Sequence, residues 1–131
     1  MRFFLFLLSA VLAAVSGCMG DGLAEVSGTV TMDGQPLKDG EIILESTDQK
    51  STPAGSKISE GAYTMRTTPG PKVVRILASR PTSKPDPVMG SAAREAAIGP
   101  EYNTKSTLRA AINPGKQAGL DFQVKELPKK P

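Results

Sequence analysis

Carboxylates flanked by glycine are the first residues in this sequence with the types and spacing to do chemistry. In VSGTVTMDGQPLKDGEIILE, Val26 to Glu45, they stand at Asp33-Gly34 and Asp39-Gly40, with Glu41 next in line. Clustered oxygens of this kind could hold a divalent cation. A calcium loop, however, needs several oxygen ligands at alternating positions and a closing bidentate Glu. Asp33, Asp39 and Glu41 offer too few, at the wrong intervals. Turn chemistry accounts for the same residues: Asp and Gly supply the local hydrogen bond and the positive φ of a tight turn, and Pro presets φ in the next bend. Asp33, Gly34, Pro36, Asp39 and Gly40 are therefore read as structural turn residues, with no metal site.

The chain has no histidine. That removes the commonest general base, the usual transition-metal ligand and every Ser-His or Cys-His nucleophile, leaving catalysis to carboxylates, Lys or Tyr. Asp86, Glu95 and Glu101 could in principle supply a carboxylate pair for glycoside chemistry, but nothing in the sequence sets their separation. Ser83 and Lys84 in RPTSKPDP lack the companion motifs of penicillin-recognising enzymes and read as a Pro-rich loop. Tyr63 and Tyr102 could stack on a sugar, yet aromatics make up only 5% of the chain, which assigns both rings to the core or a corner. The expectation is a protein without catalytic residues or cofactor. The formal charge of +3 is spread along the chain without a basic stripe or interleaved aromatics, which argues against a nucleic-acid partner.

Any site must be positioned by short strands. At 131 residues the chain holds one ordinary domain, and 13 Gly, 11 Pro and no Trp imply many turns around an aliphatic core. Seven alternating segments read as strands: VSGTVTM, GEIILES, GSKIS, AYTMRT, KVVRILAS, TLRAAI and GLDFQV. Gly28 within the first marks a bulge or a close backbone approach, and Glu60-Gly61 links the third and fourth tightly. The inward set is Val30, Ile42, Leu44, Val74, Ile76, Leu108, Ile112 and Phe122. A connection from Arg80 to Tyr102 is much longer than most loops, and its MGSAAREAAI stretch, Met89 to Ile98, has helix-favouring composition. Long connections of this kind tend to carry function, so Arg80, Lys84, Asp86, Met89, Arg94 and Glu95 form a candidate partner-binding loop. The alternative is an insertion that is merely tolerated. The ending, residues 127–131, is expected to be mobile.

The N-terminus reads as a secretory signal. Arg2 precedes an apolar run from Phe3 to Val15, too short to span a bilayer and closed by Ser16-Gly17. Val15-Ser16-Gly17-Cys18 resembles the lipobox of bacterial lipoproteins. That resemblance implies cleavage between Gly17 and Cys18 and lipidation of Cys18, the only cysteine in the chain. Several acyl chains, each buried methylene contributing about 0.8 kcal/mol, would hold the protein on a membrane. Met19 after the cysteine, where inner-membrane retention signals carry Asp, implies the outer membrane.

The patterned region resembles a known family. VSGTVTMDGQPLKDGEIIL is similar to the opening of carboxypeptidase regulatory-like domains, V-x-G-x-V-x-x-D-G-x-P-L-x-G-A-x-V, through Gly28, Val30, Asp33, Gly34, Pro36, Leu37 and Gly40. GAYTM resembles G-x-Y-x-L, TPGPKVVRI resembles P-G-x-Y-x-V-x-I, and Ile98 to Val124 is similar to the ending of small planctomycete lipoproteins of this group. Departures include Lys57-Ile58-Ser59-Glu60 in place of T-D-x-x, Lys72 in place of an aromatic, and Gly119 near the last strand. The resemblance implies an all-β, single seven-stranded antiparallel Greek-key sandwich of transthyretin type. It also implies the non-catalytic companion domain, without the peptidase's zinc ligands. The expected layout is a signal peptide over residues 1–17, a lipidated anchor and spacer over 18–24, the sandwich over 25–126 and a tail over 127–131. The expected role is a lipid-anchored binding or structural module of the cell envelope, its partner an envelope protein or polysaccharide. A carbohydrate-binding accessory domain is the alternative.

Overall fold

The structure is a computed structural model that describes residues 22–82, 87–88 and 93–129. The expected signal segment, the Gly17-Cys18 junction and the loop residues Lys84, Asp86 and Met89 lie outside them.

The described residues form an all-β protein. In chain order the strands are β1 (Ala24–Met32), β2 (Gln35–Pro36), β3 (Asp39–Ser46), β4 (Ala54–Ser59), β5 (Ala62–Thr67), β6 (Gly70–Leu77), β7 (Ser79–Pro81), β8 (Arg94–Ala96), β9 (Arg109–Ile112), β10 (Lys116–Gln117) and β11 (Phe122–Val124). A 3₁₀ turn, Pro100–Tyr102, precedes β9. Seven strands make one hydrogen-bonded path, β10-β1-β5-β4-β3-β6-β9, and β7 and β8 pair separately as a hairpin. The path curls at its middle. There β4 and β5 meet only at Ser59↔Ala62, beside the turn residues Glu60 (φ 50) and Gly61 (φ 80), and then part company.

Two features depart from a fully antiparallel sheet and from the helix-favouring composition of Met89 to Ile98. The last segment lies parallel to the first: β11 pairs with β1 through Val30↔Phe122 and Met32↔Val124, and β10 pairs with β1 through Glu25↔Lys116. The favourable composition of Met89 to Ile98 gives no helix over its described part, because Arg94–Ala96 is strand β8, in register with Ser79–Pro81. Pairing with a neighbouring strand satisfies its backbone outright, whereas helix propensity alone is a weak preference.

The core follows from the two-residue alternation. Ile42 and Leu44 on β3 face Ile76 and Val74 on β6, and all four are fully buried. Tyr63 and Met65 on β5 meet Val26 and Gly28 on β1 from the other arm of the curl. Each aliphatic side chain that is fully buried contributes about 1.5–3 kcal/mol. Leu108 and Phe122, expected inside, are only partly buried and pack against the rim of this cluster, which Leu37, Ile58, Ile98, Ile112 and Val124 complete.

Gly28 is a point of close approach. A Cβ there would lie 1.9 Å from the carbonyl oxygen of Leu120, which also accepts the Tyr63 hydroxyl proton at 2.5 Å. Burial, and secondarily Asp121, push the Tyr63 hydroxyl pKa up, so the phenol stays protonated as the donor. Asp33 (φ 52) and Gly34 (φ 81) form the two-residue turn between β1 and β2, the conformation for which Asp-Gly is favoured. The second pair behaves differently. Asp39 and Gly40 open strand β3, paired with Ser59 and Ile58, so they are not turn residues. Gly40 is required there because a Cβ would press on the Leu77 carbonyl oxygen at 2.8 Å and the Leu37 side chain at 2.9 Å.

Candidate functional site

The long connection is anchored more firmly than its composition suggests. Arg80, with a side chain only 12% exposed, donates from Nε to Glu95 at 2.9 Å and from Nη1 to Glu126 at 2.9 Å. Its Nη1 also reaches the Leu127 carbonyl at 2.7 Å, and its Nη2 the Pro128 carbonyl at 3.0 Å. The planar fork of a guanidinium makes such simultaneous recognition possible. Hydrogen bonding to Glu95, followed by Glu126, holds the Arg80 pKa above its ordinary value against the cost of burial. Arg94 turns back onto Ser79, bonding its hydroxyl at 2.8 Å and its carbonyl at 2.9 Å. The ending is docked as well: Leu127 N–H donates to the Ala97 carbonyl at 2.7 Å, and Glu126 bridges to Ile98. The ending expected to be mobile from residue 127 thus makes backbone contacts at Leu127 and Pro128.

Of the six residues of the candidate loop, Arg80, Arg94 and Glu95 thus bind one another's strands and the chain's ending, and they form the base of a hairpin. Beside this base lies an open depression of about 500 Å³ lined by Glu41, Lys57, Leu77, Ser79, Ala96 and Asn103, among others. Asn103 of this lining is held by Arg75, whose Nη1 donates to its carbonyl at 3.2 Å and whose Nε donates to Glu45 at 3.0 Å. The two tyrosines are committed elsewhere. Tyr63 is buried, and the half-buried Tyr102 accepts the Lys125 N–H at 3.1 Å with its hydroxyl oxygen. Glu95 is engaged by Arg80, while Glu101 sits exposed on the 3₁₀ turn. Among the described residues no group of three Cys, Asp or Glu could hold a metal ion.

A second constellation lies where β4 and β5 diverge, and sequence reasoning missed it. Lys72 is 1% exposed. It continues the inward row of Val74 and Ile76, opposite Ser46 on β3 and Ala110 on β9. Its Nζ donates to the Ser46 hydroxyl at 2.8 Å and to the Thr68 hydroxyl at 2.6 Å. Ser51 completes the cage, 2.5 Å from Ser46 and 3.2 Å from Thr68. Loss of hydration lowers the Lys72 pKa, and the negative charge of Asp48 opposes that shift. None of the described carboxylates forms an ion pair with it. The signal was available in the sequence as a lysine in phase with two buried aliphatics.

Neither a protein-family model nor a curated protein matches the sequence. Among solved structures, the chain is similar to part of a 9R-lipoxygenase from Cyanothece PCC8801, at 13% identity and a TM-score of 0.48. The likeness covers 84% of this chain and 18% of that one, and at this level it carries no argument about activity.

Proposed function

We propose that this chain is a lipid-anchored, exported, non-catalytic module of the bacterial cell envelope that binds a partner through its β7–β8 hairpin. The anchoring rests on the lipobox-like Val15-Ser16-Gly17-Cys18. The carboxypeptidase regulatory-like, Greek-key reading of the fold is supported by the strand order, β4-β3-β6-β9 on one arm and β5-β1 with β11 beside it on the other. The observation that carries the binding role is the Arg80 fastening. It ties β7 to Glu95, Glu126 and the chain's ending, so the two strands that flank the long connection are fixed beside a depression. Binding residues are characteristically carried on loops set on a rigid scaffold.

The test has two arms. Cys18→Ala should leave unprocessed precursor without lipid; intact mass showing an unmodified Cys18 in the parent protein overturns the anchor. Replacing residues 84–90 with a short Gly-Ser linker, which spares Arg80, Arg94 and Glu95, should abolish capture by immobilised envelope polysaccharide or envelope protein while the melting temperature holds. Undiminished capture by that variant overturns the hairpin assignment.

A further inference from the structure

The cage around Lys72 has a direction, and it points outward. Lys72 spends two of its protons on Ser46 and Thr68. Thr68 passes its own hydroxyl proton to Ser51 Oγ. The short Ser46–Ser51 contact allows either oxygen to donate. If Ser51 donated, the proton of the buried Ser46 would be left without an acceptor, so Ser46 donates. Both lone pairs of Ser51 are then occupied, and Ser51 can only donate.

Ser51 is half-exposed and lines an open cleft of about 560 Å³ between β4 and β5. Lys50, Arg66, Thr67 and Thr68 line the same cleft, and among the described residues no Asp or Glu does. Thr67 is 2% exposed, and its hydroxyl has no hydrogen-bond partner. The nearest acidic influence on Lys72, Asp48, caps the Lys50 N–H at 3.0 Å from outside the lining. A buried ammonium caged only by hydroxyls is costly unless an opposite charge approaches. Here its charge is relayed to the cleft as a polarised donor flanked by two cationic side chains.

We propose that this cleft binds an oxyanion group, the carboxylate, sulfate or phosphate of a larger ligand, with Ser51 as the terminal donor, Lys50 and Arg66 as flanking charges and Lys72 as the polarising residue behind it. The site extends the binding role to a surface separate from the β7–β8 hairpin and does not depend on that hairpin.

The full chain, melted in sulfate, phosphate or glucuronate against chloride at matched ionic strength, tests this. At an anion concentration tenfold above its Kd the melting temperature should rise by roughly 5 °C. Lys72→Met and Ser51→Ala should each lose that increment and keep only the general stabilisation that sulfate gives any fold. The arm giving the largest wild-type increment identifies the chemistry, glucuronate for an acidic sugar and sulfate or phosphate for an ester. An equal response from wild type and both variants overturns the site. A response lost in Lys72→Met and retained in Ser51→Ala overturns the relay through Ser51. Because the probes are small ions and the hairpin is untouched, failure here is distinguishable from failure of envelope capture.

Discussion

Arg80 and Lys72 are two largely buried cations at different places in one small β protein, and the fold treats them in opposite ways. Arg80 meets two carboxylates and two carbonyls, and its charged form is favoured. Lys72 meets only hydroxyls, and its charged form is disfavoured by lost hydration. A cation whose partners lie within its own chain is a fastener, and its removal harms the fold. A cation caged by neutral oxygens has no ion-pair partner, which costs stability and is useful only if something anionic arrives from outside.

Substitution at Arg80 should break the contrast most severely. Arg80→Ala leaves Glu95 and Glu126 without their shared cation and should give the largest fall in melting temperature of these variants. Amide hydrogen exchange should speed up at Leu127 and along β7 and β8, and unchanged protection there would show that the fastening is ornamental. Arg80→Lys should fall between that variant and the parent, since an ammonium cannot replace the fork.

At the other centre the sign reverses. Lys72→Met removes a buried charge that has no ion-pair partner and keeps the volume, so stability should rise by about 1 kcal/mol in urea unfolding, within the range seen when buried ionic groups give way to apolar ones. A loss of more than about 1 kcal/mol would mean that the hydroxyl cage, not the aliphatic stem, holds the ends of β3 and β6 together.

The pH dependence sharpens the same point. Because the folded-state pKa of Lys72 lies below its ordinary 10.5, the unfolded chain binds more protons between the two values, and stability rises with pH across that window. The contribution is complete above the ordinary value and is lost as pH falls through the folded one. Tyr63 acts oppositely above its ordinary 10.0, because its folded pKa is raised and its protonated form is the one that folds. Urea unfolding of the parent and Lys72→Met should therefore show a rising slope below pH 10 in the parent alone. The same slope in both proteins would remove Lys72 as its source.

The smallest effect belongs to the more exposed pair. Arg75 and Glu45, with side chains 35% and 25% exposed, form a single 3.0 Å contact. Arg75→Gln should cost less than about 1 kcal/mol and should respond to salt. A larger loss would point to its second bond, to the Asn103 carbonyl, as what holds the 3₁₀ turn in place.

Much of this molecule is legible before folding. The alternation in GEIILES and AYTMRT names the buried rows, and Asp33-Gly34 and Glu60-Gly61 name their turns, because a period of two residues and a positive φ are properties of short stretches. Lys72 could have been read from its phase with Val74 and Ile76, even though its cage could not. Asp39-Gly40 shows where local reading stops. The dipeptide is as turn-like as its neighbour, yet it pairs with Ser59 and Ile58 because β4 returns to that edge.

What the sequence alone determined is the all-β class, most of the inward aliphatic set and two tight turns, all of which depend on residues within a few positions of one another. Only the tertiary structure decided that β11 runs parallel to β1, that Gly28 must lack a Cβ to admit Leu120, and that Arg80 reaches Glu126. It also decided that Ser46, Ser51, Thr68 and Lys72 converge in one hydrogen-bonded cluster. These contacts join segments whose meeting depends on how the whole sheet curls, and no local pattern of residues records the path of the curl.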